Sequence, residues 1–466
     1  HFASTGGLAE VAGSLPKAIV KGSKSYKVKV VMPLYKKICE NFKDELKFVG
    51  EGKISLSWRD SYVGVFTMKY DGIEYYFIDN KYYFNRDNLY GHYDDGERFA
   101  FFSKSIFKLM EIIDYYPDII HTNDWQTALV SIYLDILYKK EGLYTNIKSV
   151  FTIHNIEYQG IYDLGFLEDV IGIGSKYQEI LEYNGLINLM KGAIVCADVV
   201  TTVSPRYSRE IATNNYAHGL EHIIRINKGK IVGILNGINV ESYNPETDKD
   251  IYENYDINSI DKKVENKLAL QKDLGLEVNP NKCLMVVISR LATHKGIDIL
   301  LEALQGFLDL GVQFICLGTG LEEYQNAFLK LSYERSNDVK ALITFDNSLS
   351  RKLYAASDLF VMPSKSEPCG LSQMIASRYG SVPIVRATGG LYDTITDYSE
   401  NGNGFVFKDY SSKALYEKGK EAIELYYHNN NEFKEVVRKA MAKDFSWNAS
   451  SKQYIEMYNN LLKKEK

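Results

Sequence analysis

Short apolar runs and longer stretches of helical period take turns along most of the chain. Runs rich in β-branched and aromatic residues read as buried strands, and apolar positions three and four apart read as helices. In the first half, Ser4-Thr5-Gly6-Gly7 opens a helix with apolar positions Leu8, Val11, Ala12, Leu15 and Ile19. Val28 to Met32 is a strand ending at Pro33, and residues 46–80 hold alternating segments such as Tyr62 to Met68 that predict an antiparallel insertion. A helix is predicted from Phe99 to Ile113, a strand from Pro117 to His121 and a helix beginning at Asp124-Trp125-Gln126-Thr127. Ser149 to His154 and Asp198 to Ser204 are further strands. Such βα alternation implies a parallel sheet covered by helices on both faces.

Residues 245–263 are polar, charged and poor in apolar periodicity, so they read as a linker region. Alternation then resumes with the strand Leu284 to Ile288, the helix Ile297 to Phe307 and the strand Gln313 to Leu317. The predicted fold is α/β, with two doubly wound Rossmann-like halves whose facing loops form a cleft. The predicted division is residues 1–240, a linker at 241–263, residues 264–440 and a last segment at 441–466. The chain starts inside a loop, at His1, and a strand is expected to precede such a loop, so the first sheet is expected to lack its first strand.

The most chemically pointed stretch is Pro363-Ser364-Lys365-Ser366-Glu367-Pro368-Cys369-Gly370-Leu371. It follows the strand pattern Ser357 to Met362 and precedes a helical pattern from Leu371 to Tyr379. A carboxylate on a strand-to-helix turn sits beside the first N–H groups of a helix, where anions are favoured. A second unit of the same kind follows: the strand Val382 to Val385, the loop Arg386-Ala387-Thr388-Gly389-Gly390-Leu391, and a helix start at Asp393-Thr394. Paired glycines let a backbone approach a phosphate where a Cβ would clash. Carboxylate and anion site together suit a sugar phosphate.

Composition narrows the field. The 466 residues are 45% hydrophobic and 25% charged, with a net charge of −5, which gives no footprint for nucleic acid or an anionic membrane. The five cysteines, Cys39, Cys196, Cys283, Cys316 and Cys369, are widely spaced, which argues for reduced thiols in a cytoplasmic protein. Neither a disulfide frame nor a zinc site is expected from them.

Other candidates are weaker singly. Gly318-Thr319-Gly320 follows a strand but lacks the third glycine of a dinucleotide fingerprint, since position 323 is Glu. In Ser289 to Gly296, Arg290 and Lys295 follow a strand and are placed to neutralise a leaving diphosphate, at roughly 1.5–3 kcal/mol per charge-assisted bond. His154 ends a strand, and Asp124 beside Trp125 suits sugar binding, although Asp is also a common N-cap. Asp248-Lys249-Asp250 matches a short acidic metal pattern but reads as solvated charge in the linker. No other set resembles metal ligands, and no cofactor is expected.

Together these residues resemble the bacterial glycogen synthase and plant starch synthase family of retaining glucosyltransferases with the two-domain GT-B fold. The resemblance runs through Thr5 to Val11, Leu89-Tyr90-Gly91, Asp95 to Phe99, His121 to Thr127, Phe151 to Gly160 and Thr202 to Pro205. It continues through Gly219 to Glu221, Gly233 to Ile238, Ser289 to Gly296, Gly318 to Gly320, Glu367 to Leu371, Tyr379 to Asp393 and Asp444 to Trp447. It implies that residues 1–240 bind the glucan acceptor and 264–440 the nucleotide sugar, with the segment from Trp447 a helix crossing back to the first domain. Gly6 and Gly7 would set a helix N-terminus near the diphosphate. Arg290 and Lys295 would bind the distal phosphate with backbone help from Thr388, Gly389 and Gly390. Glu367, with Cys369, Gly370, Leu371 and Gly318, would line the donor site, and Phe345 would stack on the nucleobase. His154 would lie beside the reacting glucose and Asp124 between acceptor and donor. Many members carry Lys where this chain has Ser4, a common aromatic is replaced by Ser366, and a common Asp by Asn239.

The implied reaction moves glucose from ADP-glucose to the 4-hydroxyl of an α-1,4-glucan, such as glycogen or a maltooligosaccharide, with retention and without a metal. No carboxylate partner for Glu367 stands on its loop, so front-face attack is expected, with Glu367 positioning rather than attacking. The alternatives are a catalytically impaired sugar-nucleotide or glucan-binding homologue, or a GT-B transferase using UDP-glucose.

Overall fold

The computed structural model describes Phe2 and residues 6–463. The chain divides into two compact units. The first runs to Ile234 and takes in the C-terminal segment from Trp447; the second is Leu235–Ser446.

The second unit is built on a six-stranded, all-parallel sheet. Its strands lie in the order Val339–Leu342, Gln313–Leu317, Leu284–Ile288, Leu359–Met362, Val382–Arg386, Phe405–Phe407. Numbered along the chain this is 3-2-1-4-5-6, the dinucleotide-binding order. The strands are near-continuous apolar runs because both faces are covered by helices; residues 313–317 and 359–362 are buried throughout. The helix Ile297–Asp309 shows why the covering layer forms: Ile297, Leu300, Leu304 and Phe307 recur at helical spacing and are all buried. The strand order reverses between Leu284–Ile288 and Leu359–Met362, so the loops after these two strands diverge there and leave a crevice.

The first unit holds two four-stranded sheets and a small three-stranded one among its described residues. One sheet pairs Lys29–Pro33 in parallel with Ile73–Asp79, which continues antiparallel through Arg59–Tyr70 to Lys47–Leu56. The antiparallel insertion predicted at 46–80 is therefore a hairpin extension of a mixed sheet. The other sheet is all parallel, in the order Ile231–Gly233, Val199–Thr202, Lys148–Ile153, Ile119–Asn123. The helix Gly6–Gly22 packs against the C-terminal helix Trp447–Lys463 through Val11, Leu15, Ala18 and Ile19 on one side and Trp447, Tyr454, Met457 and Leu461 on the other. Ala12, predicted on the apolar stripe, is exposed, and Ala18 takes its place in the interface.

The reading of Asp248 as solvated charge needs correction. Asp248 is buried, its carboxylate 2.9 Å from Arg351 and accepting the Tyr379 hydroxyl. Arg351 also donates to the carbonyl and hydroxyl of Ser242. Further along the same segment the Tyr255 hydroxyl donates to Tyr379 O at 2.7 Å, and Lys263 donates to Tyr354 O and Ala355 O at the carbonyl end of the helix Asn347–Ala356. These anchors are polar or aromatic, so the segment carries no apolar period although it is fastened to the second unit.

No helix among the described residues is long and apolar enough to cross a membrane. All five cysteines are unpaired; Cys283, Cys316 and Cys369 are buried.

Cutting the buried pair tests the anchoring. Arg351→Ala leaves the Asp248 carboxylate buried without its cation, at an expected cost of about 3–5 kcal/mol, whereas Lys249→Ala is expected to stay within about 0.5 kcal/mol. Urea titration followed through the second unit's transition measures both.

Candidate active site

In the second unit the switch point collects four loops. The loop after Leu284–Ile288 carries Arg290 and then a 3-10 turn at Thr293–Lys295. Gly296 follows with φ +73, and a Cβ there would stand 2.1 Å from Pro363 O. Only glycine lets this loop lie against the one after Leu359–Met362. Gly318, after Gln313–Leu317, is under the same constraint: a Cβ would stand 1.9 Å from Ser289 O. Its role in the described residues is thus close approach of two backbones.

The contact brings Lys295 to Glu367. Lys295 Nζ donates to Glu367 Oε2 at 2.6 Å, and Ser364 Oγ donates to the same oxygen at 3.1 Å. Glu367 is buried. Its Oε1 has no donor among the described residues. Arg386 fixes the start of this loop from the next strand: its buried guanidinium donates to the carbonyls of Ser364 and Lys365 and, at 3.3 Å, to Lys408 O. A buried arginine spread over loop carbonyls holds the segment leading to Glu367 in one path.

The diglycine loop completes the group. Its helix spans Gly389–Thr394, so the start predicted at Asp393-Thr394 is corrected: the glycines themselves form the first turn, and the helix ends where it was expected to begin. Gly389 has φ +43, and a Cβ on it would lie 1.9 Å from Glu367 O; one on Gly390 would lie 2.0 Å from Cys369 O. Gly390 N–H donates to Glu367 O at 3.1 Å and to Pro368 O at 3.2 Å, and Thr388 N–H donates to Arg386 O at 2.8 Å. The Thr388 and Gly390 amides, expected to help hold a phosphate, thus each donate to a protein carbonyl. The Gly390 bonds close one loop on the other, whereas the Thr388 bond stays within its own loop.

Cys369 is buried between these loops; burial pushes its thiol up to about 12, against an N–H from Asn236. Gly370 has φ +73, and Leu371 sits just before the helix Ser372–Arg378. Arg290 and Phe345 make no side-chain bond to the cluster among the described residues. Arg290 is exposed and no described residue pairs with its guanidinium. Phe345 lies 84% exposed in the turn between Val339–Leu342 and Asn347–Ala356.

In the first unit the candidates sit at the carboxyl ends of two neighbouring parallel strands, Ile119–Asn123 and Lys148–Ile153. Asp124 adopts φ 56, an uncommon backbone state for a non-glycine. It makes no side-chain cap to the turn it precedes; its Oδ1 accepts the His154 N–H at 2.8 Å. Desolvation raises the Asp124 carboxyl to about 7, opposed by bonds from the His154 and Asn155 amides. The His154 ring meets Asn123 Oδ1 at 2.9 Å through Nε2. An amide oxygen only accepts, so Nε2 carries the proton and Nδ1 keeps its lone pair. Burial holds His154 down at about 4, a neutral ring at ordinary pH. His121, beneath, sits between Tyr458 OH and Thr152 Oγ1 at 2.6 Å each, its pKa held at about 3 by burial and by His154. Trp125 packs edge-on to Phe99 and over Gly160. Gly6 and Gly7 open the helix Gly6–Gly22; Ser4 and Thr5 lie outside the described residues.

Sequence reasoning left Ser364, Arg386, Gln373, Thr394 and Asn123 without roles. Ser364 stood three residues before Glu367 and so within reach of a turn contact; the others bind carbonyls or distant side chains and leave no local pattern.

Two Rossmann-like units, one with a carboxylate–ammonium pair at its switch point, define a glycosyltransferase of the GT-B class. Residues 1–226 match the starch synthase catalytic domain, and residues 271–440 match the glycosyl transferases group 1 family. The chain is 43% identical to a glycogen synthase of Clostridioides difficile, over 99% of this chain and 97% of that one. It is 43% identical to a glycogen synthase of Bacillus licheniformis, over 100% and 96%. Among solved structures it is similar to the catalytic domain of starch synthase IV from Arabidopsis thaliana bound to ADP and acarbose, with TM-score 0.89 and 33% identity over 99% of this chain and 97% of that one. A sucrose-phosphate synthase from Thermosynechococcus elongatus, at TM-score 0.61 and 16% identity over 98% and 94%, shares the fold. The chain belongs to the glycogen synthase and starch synthase family.

The strand-end group makes a pH prediction. With His121 and His154 held below 6.5, the unfolded chain binds more protons at these rings between about pH 4 and 6.5, so acid costs stability there. Asp124 acts oppositely. Raised from 3.8 to about 7, it binds a proton in the fold that the unfolded chain releases, a contribution present in acid and lost as pH rises through 7. Asp124→Asn removes that offset. Its melting temperature is expected to drop more between about pH 7 and pH 5 than the parent's; an equal or smaller drop contradicts a protonated Asp124.

Proposed function

We propose that the chain transfers glucose from ADP-glucose to the non-reducing 4-hydroxyl of an α-1,4-glucan with retention of configuration. The observation that carries the reading is the Lys295–Glu367 pair at the switch point of the second unit's sheet. It is supported by relatives that are glycogen synthases and by a structural neighbour bound to ADP and acarbose.

The chemistry follows from the charges. The bond from C1 of glucose to the diphosphate breaks, the bond from C1 to the acceptor O4 forms, and the 4-hydroxyl proton passes to the departing phosphate oxygen. Arg290 and Lys295 bind the distal phosphate. Arg290 has no side-chain partner among the described residues and is open to a phosphate, while Lys295 is already held by Glu367 before the leaving group departs. Glu367 has Oε2 engaged by Lys295 and Ser364, which leaves Oε1 to accept sugar hydroxyls. A carboxylate so held positions the ring and does not attack it. With no second carboxylate on its loop, the two-carboxylate route of retaining glycosidases is not followed. Phe345 offers an exposed face for the nucleobase. The neutral His154, with its proton on Nε2, and Asp124 serve the transferred glucose and the acceptor. The five unpaired thiols suit a reducing cytoplasm.

Release of ADP from ADP-glucose with glycogen as acceptor tests the reading. Glu367→Ala is expected to lower turnover by on the order of 10²-fold or more with an unchanged circular dichroism spectrum. Near-normal turnover in this variant, or a parent that uses UDP-glucose and not ADP-glucose, contradicts it.

A further inference from the structure

Two side chains outside the roles assigned above join the two loops that form the donor group. Gln373, fully buried in the first turn of Ser372–Arg378, places Nε2 3.1 Å from Cys369 O, 3.0 Å from Gly370 O and 3.2 Å from Thr394 Oγ1. Thr394, buried at the last turn of the diglycine helix, donates Oγ1–H to Gly390 O at 2.7 Å. One continuous chain of bonds therefore runs from the carbonyls just past Glu367 to the carbonyl of the diglycine pair.

The amide is costly as mere filling. Gln373 Oε1 is buried and finds no partner among the described residues, and a buried unpaired acceptor loses stability. An apolar side chain of similar volume fills the same space without that loss. The amide's Nε2 reaches two loop carbonyls and the Thr394 hydroxyl, which no apolar residue does. Gly370 belongs to the same arrangement: a Cβ there would stand 2.5 Å from Gln373 Oε1.

We infer that Gln373 and Thr394 are positioning residues, a clasp that sets the spacing between the Glu367 carboxylate and the diglycine loop. The inference rests on the donor-site reading above. The clasp touches neither sugar nor phosphate. It acts through Cys369, Gly370 and Gly390, and so governs how the glucose is held relative to its leaving group. Misplacement of reacting groups by about 1 Å costs up to roughly 10²-fold in rate, so the loss falls on kcat more than on nucleotide affinity.

Thr394→Val keeps the shape and removes the hydroxyl; Thr394→Ser keeps the hydroxyl; Gln373→Met keeps the length and removes the amide. The full chain is assayed for kcat and KM with ADP-glucose and glycogen, and for ADP affinity by calorimetry. Thr394→Val is expected to lose about tenfold or more in kcat with ADP affinity within about threefold, and Thr394→Ser to recover to within about twofold of the parent. Thr394→Val combined with Gln373→Met is expected to lose little more than the worse single variant, since both cut one chain. Parental kcat in Thr394→Val, a Ser variant as impaired as Val, or independent losses that multiply would overturn the clasp. Should Gln373→Met fail to fold, the Val and Ser pair decides alone. Glu367→Ala in the same series separates the two claims. An active Glu367→Ala sinks the donor-site reading, whereas an inactive one beside a fully active Thr394→Val sinks only the clasp.

Discussion

Backbone lies directly on backbone where the diglycine loop meets the peptide of Glu367, and the cluster at the switch point depends on that contact. Gly389 and Gly390 leave no room for a Cβ, with carbonyl oxygens 1.9 and 2.0 Å from where one would stand. Gly296 makes the matching approach on the other side, against Pro363 O. The Glu367 loop is thus gripped between two neighbours through main-chain atoms. Side-chain spacers would move it outward by an atom's width or more. The glycines therefore act by permitting proximity, and the N–H of Gly390 holds the loops together once they are close.

Proximity in turn fixes charge. Lys295 reaches Glu367 only because the Gly296 turn brings its loop across the switch point. The pair sets a cation beside a carboxylate that keeps one oxygen without a donor among the described residues. Arg386 and Ser364 secure the carboxylate side from below. In the first unit the logic differs. Asp124 and His154 are tied to each other through a backbone N–H, desolvation raises the Asp124 carboxyl to about 7 and keeps the His154 ring neutral, and His121 links their strands to Tyr458 of the C-terminal helix. The second unit's cluster is built on a charged pair and the first unit's on buried hydrogen-bonding groups.

The strands of the second unit were legible because an all-parallel sheet demands continuous apolar runs; Leu284–Ile288 and Gln313–Leu317 carry that pattern without interruption. The loops holding Glu367, Lys295 and the diglycine pair were legible as positions at strand ends. What they contact was not. The start of Gly389–Thr394 was misplaced because glycine disfavours helix on propensity alone, and only the adjacent carbonyls show why it is needed. Asp248 was misread because its partner Arg351 lies 103 residues away and no local pattern marks the pair. Gln373 was invisible for a related reason: its partners are mostly main-chain carbonyls, which every residue has. The switch-point position gave Glu367 a context; the family resemblance gave it a role, and the roles of the site residues rest on the proposal above.

The central claim is that side-chain cations at the switch point carry the nucleotide's phosphates. Calorimetric titration of ADP into the parent and into Lys295→Met tests it directly. Loss of a charge-assisted bond of about 1.5–3 kcal/mol predicts roughly 10- to 100-fold weaker ADP binding in the variant, with the difference shrinking as salt rises. Equal affinity in the two proteins at low salt would contradict it.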